Sequence, residues 1–420
     1  MYKDSFDLIK NSLPARRILI YGSLSGMIYA AVLFGEVIAR KSLNASTLQV
    51  TMISMTMPFM TITSIWWGRL LVGRDQRKVI WIIGTIGIIA LASGVFLETF
   101  LHLLIIYIIY FISYSLQLTA QNRVFQQHLP AKQTGGLFGI SQGMRMGVAA
   151  VTSAAAGWWL EHADKGWQEI HLIVSLAGLI SVASIASIPT KEDKSIQALR
   201  FKQWFLTPLK DVGALLKARP DYLRFEIAFM IYGAAFMMTL PVVPIYLVDD
   251  LKMGYGVIGL TKGLAFQIIM VLGIPFFGRI FDNSTPHRVG AITFLLASAF
   301  PLILLAAEPF QGTLQALIVA LAFLVFGAAM SGVTIIWNLA SLRFTGKLDD
   351  AGQYQSVHVA AVGIRGMFAP MLGYFVMRWL GNQAALLTAS ALFITASVSM
   401  IAARWYDSRS GNMLSLRVEE

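Results

Sequence analysis

Trp67-Gly68-Arg69-Leu70-Leu71-Val72-Gly73-Arg74-Asp75-Gln76-Arg77-Lys78 is a short charged loop between two apolar stretches, each long enough to cross a bilayer. A second copy stands at Phe277-Gly278-Arg279-Ile280-Phe281-Asp282-Asn283-Ser284-Thr285-Pro286-His287-Arg288. Both open with Gly-Arg, and both reach a basic residue ten positions after the glycine. Gly68 and Gly278 lie 210 residues apart, half of a 420-residue chain. A charged loop repeated at half-length, between apolar runs each time, reads as a tandem repeat of two membrane bundles.

The composition agrees. The chain is 56% hydrophobic and 13% charged, with a mean hydropathy of +0.66, whereas a soluble domain carries about 25% charged residues. In water a chain this apolar would expose large sticky patches. Cysteine is absent, which excludes a disulfide framework and a thiolate metal site. The net charge of +11 does not call for nucleic acid, because Lys and Arg gather on the cytoplasmic side of membrane proteins.

About 20 apolar residues span a bilayer as helix. Twelve runs approach that length: Ile18–Ala39, Thr47–Trp67, Val79–Leu97, Leu103–Asn122, Gly136–Leu160, Ile170–Ile188, Leu223–Val248, Val257–Phe281, Val289–Ala306, Leu314–Leu342, Tyr354–Met377 and Ala384–Ala403. Backbone groups find no water partners in lipid, so these runs are expected as helices. With the N-terminus inside, 25 Lys and Arg fall in inside segments and 5 in outside loops. Both termini are therefore expected in the cytoplasm of a multi-pass inner or plasma membrane protein. Residues 1–188 form one expected six-helix bundle and 223–420 the other, with a short tail. Between them lies a basic linker, 189–222, in which Trp204, Phe205, Leu209, Val212, Leu215 and Leu216 recur at helical spacing. That pattern predicts an amphipathic helix on the inner membrane surface.

The repeated loop resembles that of the major facilitator superfamily of transporters. The family carries Gly-x-x-x-Asp-Arg/Lys-x-Gly-Arg-Arg/Lys between helices 2 and 3, with a worn copy between helices 8 and 9. Gly68 and Arg77 match the first copy; Gly278 and Asp282 match the second. Val72 stands where the family has Asp, and Gly73, Asp75 and Gln76 also depart. Asp75, one turn late, is a candidate replacement for the missing acid. The resemblance implies an all-α membrane fold of twelve helices in two pseudo-symmetric six-helix bundles. It also implies that Gly68, Arg69, Asp75, Arg77, Gly278, Arg279 and Asp282 form loops on which the conformational cycle depends. Gly68 and Gly278 are then expected to let these loops pack closely against neighbouring helices of the opposite bundle.

Polar groups inside spans are costly and mark candidate sites. The fourth span offers Gln117 and Gln121 on one face, then Asn122 and Arg123. The tenth offers Trp337 and Asn338. In the resembled family helices 1, 4, 7 and 10 line a central cavity, which extends to these residues. Amides bonding across a packed helix interface are the alternative. The fifth and eleventh spans carry Gly143-Met144-Arg145 and Gly363-Ile364-Arg365, with both arginines expected near mid-membrane. Gln142 shares a face with Arg145, and His358 with Arg365. The fork of an arginine suits carboxylates and phosphates, so the pair is either an anion site or two structural arginines bonding carbonyls and carboxylates. Glu36 is the acid well inside the first bundle, expected near the outer face beside Arg40 and Lys41. Glu36 and His358 are the proton-coupling candidates. Glu226 is expected to pair with a loop cation.

The chain has no phosphate loop of the Gly-x-x-x-x-Gly-Lys-Ser/Thr type, no metal-ligand cluster, and no nucleophile or acid–base constellation. It is therefore read as a transporter, not an enzyme, with no cofactor. Its expected partners are the bilayer, a small-molecule substrate and a coupled proton, and a monomer suffices. Two versions stay open, efflux of an amphipathic compound and movement of an organic anion. A sensor or scaffold that kept the fold and lost transport is the reading from another class. Direction is not readable: Gly147 is followed by Val148 where the family's exporters have Pro.

Overall fold

Each of the twelve apolar runs contains a helix in the computed structural model, which describes residues 10, 12–61, 63, 67, 75–128, 131–189, 213–345 and 351–409. The helices are α1 (Leu13–Lys41), α2 (Thr47–Thr61), α3 (Gln76–Phe96), α4 (Phe100–His128), α5 (Ala131–His162) and α6 (Gly166–Ala186). The second set is α7 (Pro220–Asp250), α8 (Tyr255–Asp282), α9 (Pro286–Ala306), α10 (Gly312–Phe344), α11 (Ala351–Leu380) and α12 (Asn382–Arg409). No strand occurs among the described residues. The chain is an all-α, multi-pass membrane protein. Most helices begin a few residues before their apolar run, because polar caps lie outside it. Ser12 accepts from the amide of Ala15, Asp75 from Arg77 at 3.0 Å, and Thr285 from Arg288 at 3.2 Å. Each cap satisfies an amide that the first turn leaves unpaired. Asp75 and Thr285 stand 210 residues apart, the same interval as Gly68 and Gly278.

Among the described residues nine helices are long and apolar enough to cross a membrane by composition alone. The exceptions are α2, α5 and α11, and the latter two carry the paired arginines. Several spans are interrupted. The first breaks at Leu33–Phe34 before continuing as Gly35–Lys41. Pro241 and Pro244 lie inside α7, which ends in a widened π turn at Tyr246–Asp250. A second π turn, Gly259–Ala265, sits in α8. Such turns free backbone carbonyls and re-aim side chains.

The packing repeats with a shift of six helices. In the first set α1 packs on α5 and α6, and α3 on α4 and α6. In the second, α7 packs on α11 and α12, and α9 on α10 and α12. The chain groups into two compact units. Unit 1 holds Met1–Arg200 with Gly254–Gln267, and unit 2 holds Phe201–Met253 with Ile268–Glu420. Within unit 1 the start of α8 is fixed to α5 by the Glu161 carboxylate, which accepts from the amide of Tyr255. Where α3 meets α4, a loop carboxylate takes a cation from the α5–α6 turn: Lys165 donates to Glu98 at 2.8 Å. That hydrogen bond holds the Glu98 carboxyl below, and the Lys165 ammonium above, its ordinary value. Trp158, Trp379 and Trp405 are exposed near helix ends, where interfacial anchors sit.

The repeated loop is only partly in view. Gly68 and Arg69 lie outside the described residues, as do residues 190–212, which include Trp204, Phe205, Leu209 and Val212 of the expected amphipathic helix. Asp75 is the N-cap of α3, with Lys78 at 3.9 Å. Arg77 donates to the carbonyl of Ala186, tying α3 to the end of α6. Asp282 is the last residue of α8, and Arg279 stands in its last turn. Among the described residues a Cβ on Gly278 would meet nothing within 4 Å.

Candidate functional site

The two arginines that the sequence singles out are equivalent by position. Arg145 is the fifteenth residue of α5 and Arg365 the fifteenth of α11. Each is about 21 Å along its helix at 1.5 Å per residue, and both helices begin earlier than their apolar runs. Each packs against a glycine on the first helix of its unit. A Cβ on Gly26 of α1 would come within 2.3 Å of the Arg145 carbonyl oxygen. A Cβ on Gly233 of α7 would lie 2.1 Å from the Arg365 guanidinium. No side chain fits at either place, so the glycines are what let α1 reach α5 and α7 receive Arg365.

Their surroundings differ. In unit 1 Arg145 donates through Nη2 to the Tyr114 hydroxyl at 2.9 Å. Its guanidinium lies 5.2 Å from the Tyr29 ring centre and 5.7 Å from that of Tyr114. The Nε is buried without a hydrogen-bond partner. Among the described residues no carboxylate comes within ion-pair distance of Arg145. A cation held by neutral phenols and rings, with a donor to spare, is short of one negative charge.

In unit 2 Arg365 is 2% exposed. Its Nη1 donates to the Phe229 carbonyl at 2.9 Å, and its plane lies 5.2 Å from the Phe229 ring and 5.9 Å from that of Trp337. One side of this cluster holds a buried pair, His358 Nδ1 to Glu226 Oε1 at 2.9 Å. The imidazole is edge-on to Phe229 and Trp337, each at 4.6 Å between centres. The frame is an aromatic stripe along α7. Tyr222, Phe225, Phe229, Tyr232 and Phe236 succeed one another at three and four residues, and adjacent members touch. Glu226 and Gly233 are seven residues apart and so share a face.

Trp337, His358 and Arg365 thus come together. Glu226 joins them, and this corrects the expectation of a loop cation: its partner is His358. The signal was present as Glu226, Phe229 and Gly233 on one helical face, opposite a span that carries both His and Arg. Asn338 stands apart. It is exposed and donates back to the Thr334 carbonyl of its own helix at 2.8 Å. Gln117 is buried in the α3–α4 contact, donating to Ser113, which in turn donates to the Ile83 carbonyl. The side chains of Gln121, Asn122 and Arg123 lie outside the described residues. The cation beside Glu36 is Lys262, where Arg40 and Lys41 were expected. Lys262 approaches it at 3.7 Å while donating to the Leu33 carbonyl at 2.9 Å, and Ser54 donates to it at 3.4 Å. The broken turn of α1 and the π turn of α8 make this contact possible. No cluster of metal-ligating side chains occurs among the described residues.

Comparison with known proteins agrees with the architecture. Residues 225–417 match the family description "Major Facilitator Superfamily". No curated protein matches the sequence. Similar solved structures include a POT family transporter in complex with a thioalcohol-conjugated peptide, at TM-score 0.73 and 12% identity, covering 96% of each chain. The nucleoside transporter NupG gives 0.67 and 15%, covering 93% of this chain and 99% of that one. A partially occluded, inward-open xylose transporter XylE from E. coli gives 0.64 and 14%, covering 93% and 98%. At these identities the likeness establishes the fold, and it extends over nearly the whole length of every chain. The second half thus resembles the major facilitator superfamily, and the chain shares the fold of these transporters from end to end.

Proposed function

We propose that the protein is a secondary active transporter that moves a small organic anion across the membrane by alternating access, driven by a proton gradient. Both termini lie in the cytoplasm, on the strength of the Lys and Arg asymmetry. Arg145 carries the reading of the substrate. Inside unit 1 it has two aromatic neighbours, one phenol partner, a spare buried donor and no carboxylate among the described residues. A carboxylate on the substrate supplies the missing charge and accepts from the fork in two-pronged geometry. An amphipathic cation would be repelled by the same group. Gln117 is engaged in the α3–α4 contact and Asn338 bonds its own helix, so neither is assigned to the solute. Proton coupling is consistent with the relatives in fold, one of which is a D-xylose–proton symporter.

The test is counterflow of radiolabelled small carboxylates, benzoate first, in proteoliposomes, with benzamide as the uncharged control. Exchange of carboxylates but not of benzamide is expected. Arg145→Gln should weaken apparent affinity by about 10- to 100-fold, the worth of one charge-assisted contact. Exchange of a cationic drug, unaffected by Arg145→Gln, overturns the anion reading. Absence of any exchange across a broad solute panel favours the sensor reading.

A further inference from the structure

Three ionisable side chains meet inside unit 2 with more polar atoms than partners. Glu226 and His358 are each 4% exposed and Arg365 is 2% exposed. Glu226 Oε2, His358 Nε2 and Arg365 Nε are buried and have no hydrogen-bond partner. We infer that the Glu226–His358 pair is the proton-binding site of the transport cycle, with Arg365 as its fixed counter-charge. The inference rests on the proposed transport function and names where the coupled proton is held.

The charges support this count. Arg365 is always protonated and Glu226 balances it as a carboxylate. With neutral His358 the cluster sums to zero, which is what a buried, aromatic-lined site tolerates. With Nδ1 donating to Glu226 Oε1, the lone pair on Nε2 is the vacant acceptor. An incoming proton binds there, no bond breaks, and the cluster becomes a monocation until the proton leaves by the same atom. A second proton would make a dication in the same apolar cage, so the site takes one per cycle. The surplus positive charge is what an anionic solute offsets, so loading with a proton and loading with an anion favour each other.

The neighbours leave this role to the pair. Along α7, Tyr222 donates its hydroxyl to the Tyr354 carbonyl of α11, and Tyr232 points its own at the sulfur of Met330 on α10. Asp221 is bound by Arg219, which also donates to Tyr354. From α9 and α12, His287 and Asp407 approach one another at 3.5 Å, with Arg224 of α7 paired to Asp407. That group lies past the Phe225 ring, against which His287 packs edge-on. Towards the cluster α10 contributes Trp337, which does not titrate. Glu36, the other acid considered, already faces Lys262. The pair also joins two helices. Glu226 belongs to α7 and His358 to α11, which pack on each other. Gain or loss of a proton therefore alters a bond between two packed helices, not a bond within one helix.

The experiment compares Glu226→Gln and His358→Asn with wild type in proteoliposomes, using radiolabelled benzoate as the probe. Counterflow needs no proton gradient, whereas accumulation against a gradient does. Both variants should keep counterflow and lose pH-driven accumulation. Wild-type accumulation in either variant overturns the inference and leaves the transport function standing. Loss of counterflow in both variants, with wild type active, also overturns it, since the pair is then part of the substrate path. If benzoate is not carried at all, thermal stability of the detergent-solubilised protein between about pH 5 and about pH 8 gives a second readout. The wild-type pH dependence should flatten in both variants. A profile unchanged from wild type overturns the proton site independently of any substrate.

Discussion

Gly233→Ala measures how tightly Arg365 is seated. The added Cβ would lie 2.1 Å from Cζ and Nη1 and 2.2 Å from Nε of the guanidinium. Carbon contacts become comfortable at about 3.5 Å, so one partner must retreat by about 1.4 Å. The backbone of α7 is held by its own helix and by α11 and α12, which leaves the guanidinium to move. Retreat of that size stretches the 2.9 Å bond from Nη1 to the Phe229 carbonyl beyond hydrogen-bonding range. A buried charged donor left unmade costs about 1–3 kcal/mol, and the overpacking adds about 1–3 kcal/mol. Replacing a helical glycine by alanine returns about 1 kcal/mol. The net expectation is a loss of roughly 1–5 kcal/mol, read as a lower melting temperature of the purified protein in detergent. Arg365→Met supplies the control, since a thioether has no donor to lose and bends away from the new methyl. In that background Gly233→Ala should be nearly neutral, a coupling that a double-mutant cycle isolates. An unchanged or raised melting temperature in Gly233→Ala alone, or an equal loss in both backgrounds, would refute the reasoning.

Four further outcomes are expected. Asp75→Ala should cost about 1 kcal/mol and speed amide exchange in the first turn of α3, and Thr285→Ala should do the same at α9; protection unchanged at both ends would show that neither cap matters. Lys262→Met should lower the melting temperature by an amount worth about 1–3 kcal/mol, and adding Glu36→Gln should recover part of it; strictly additive losses would mean that the two residues are independent. Arg365→Gln should lower ligand-free stability before affinity, whereas Arg145→Gln should lower affinity for carboxylates with little change in ligand-free melting temperature; the reverse order would exchange their assigned roles. Reporter fusions at Asp164 and Lys202 should report opposite sides of the membrane, and finding both on one side would sink the topology.

The fold was largely legible because hydropathy has few readings in a bilayer. Twelve apolar runs gave twelve helices, and the 210-residue interval between Gly68 and Gly278 reappears between the caps Asp75 and Thr285. The ends were less legible. Ser12, Asp75 and the first turns of α5 and α11 are polar, so an apolar count starts too late. The site was legible in its members and not in its pairings. Trp337, His358 and Arg365 were found because polar or bulky residues stand out in a span. Glu226 was given a loop cation as partner because only distance along the chain was in view, and the helix contact that brings His358 to it is a tertiary fact. Glu36 and Lys262 are 226 residues apart, and nothing local signals that a break in α1 and a widened turn in α8 bring them together.

An arginine sits at the same step of α5 and α11, and the two differ in what surrounds them. Both are the fifteenth residue of the fifth helix in their set, with a facing glycine on the first helix and two aromatic rings about the guanidinium. In unit 2, Glu226 and His358 pack against the same rings as Arg365. In unit 1, phenols surround Arg145, and no acid lies within ion-pair distance of it among the described residues. A membrane interior does not tolerate an uncompensated charge cheaply. On the proposed function Arg145 therefore awaits a solute that arrives and leaves, while Arg365 is balanced by Glu226, which stays. The same proposal divides coupled transport between the two arginines, one beside a solute and one beside a proton.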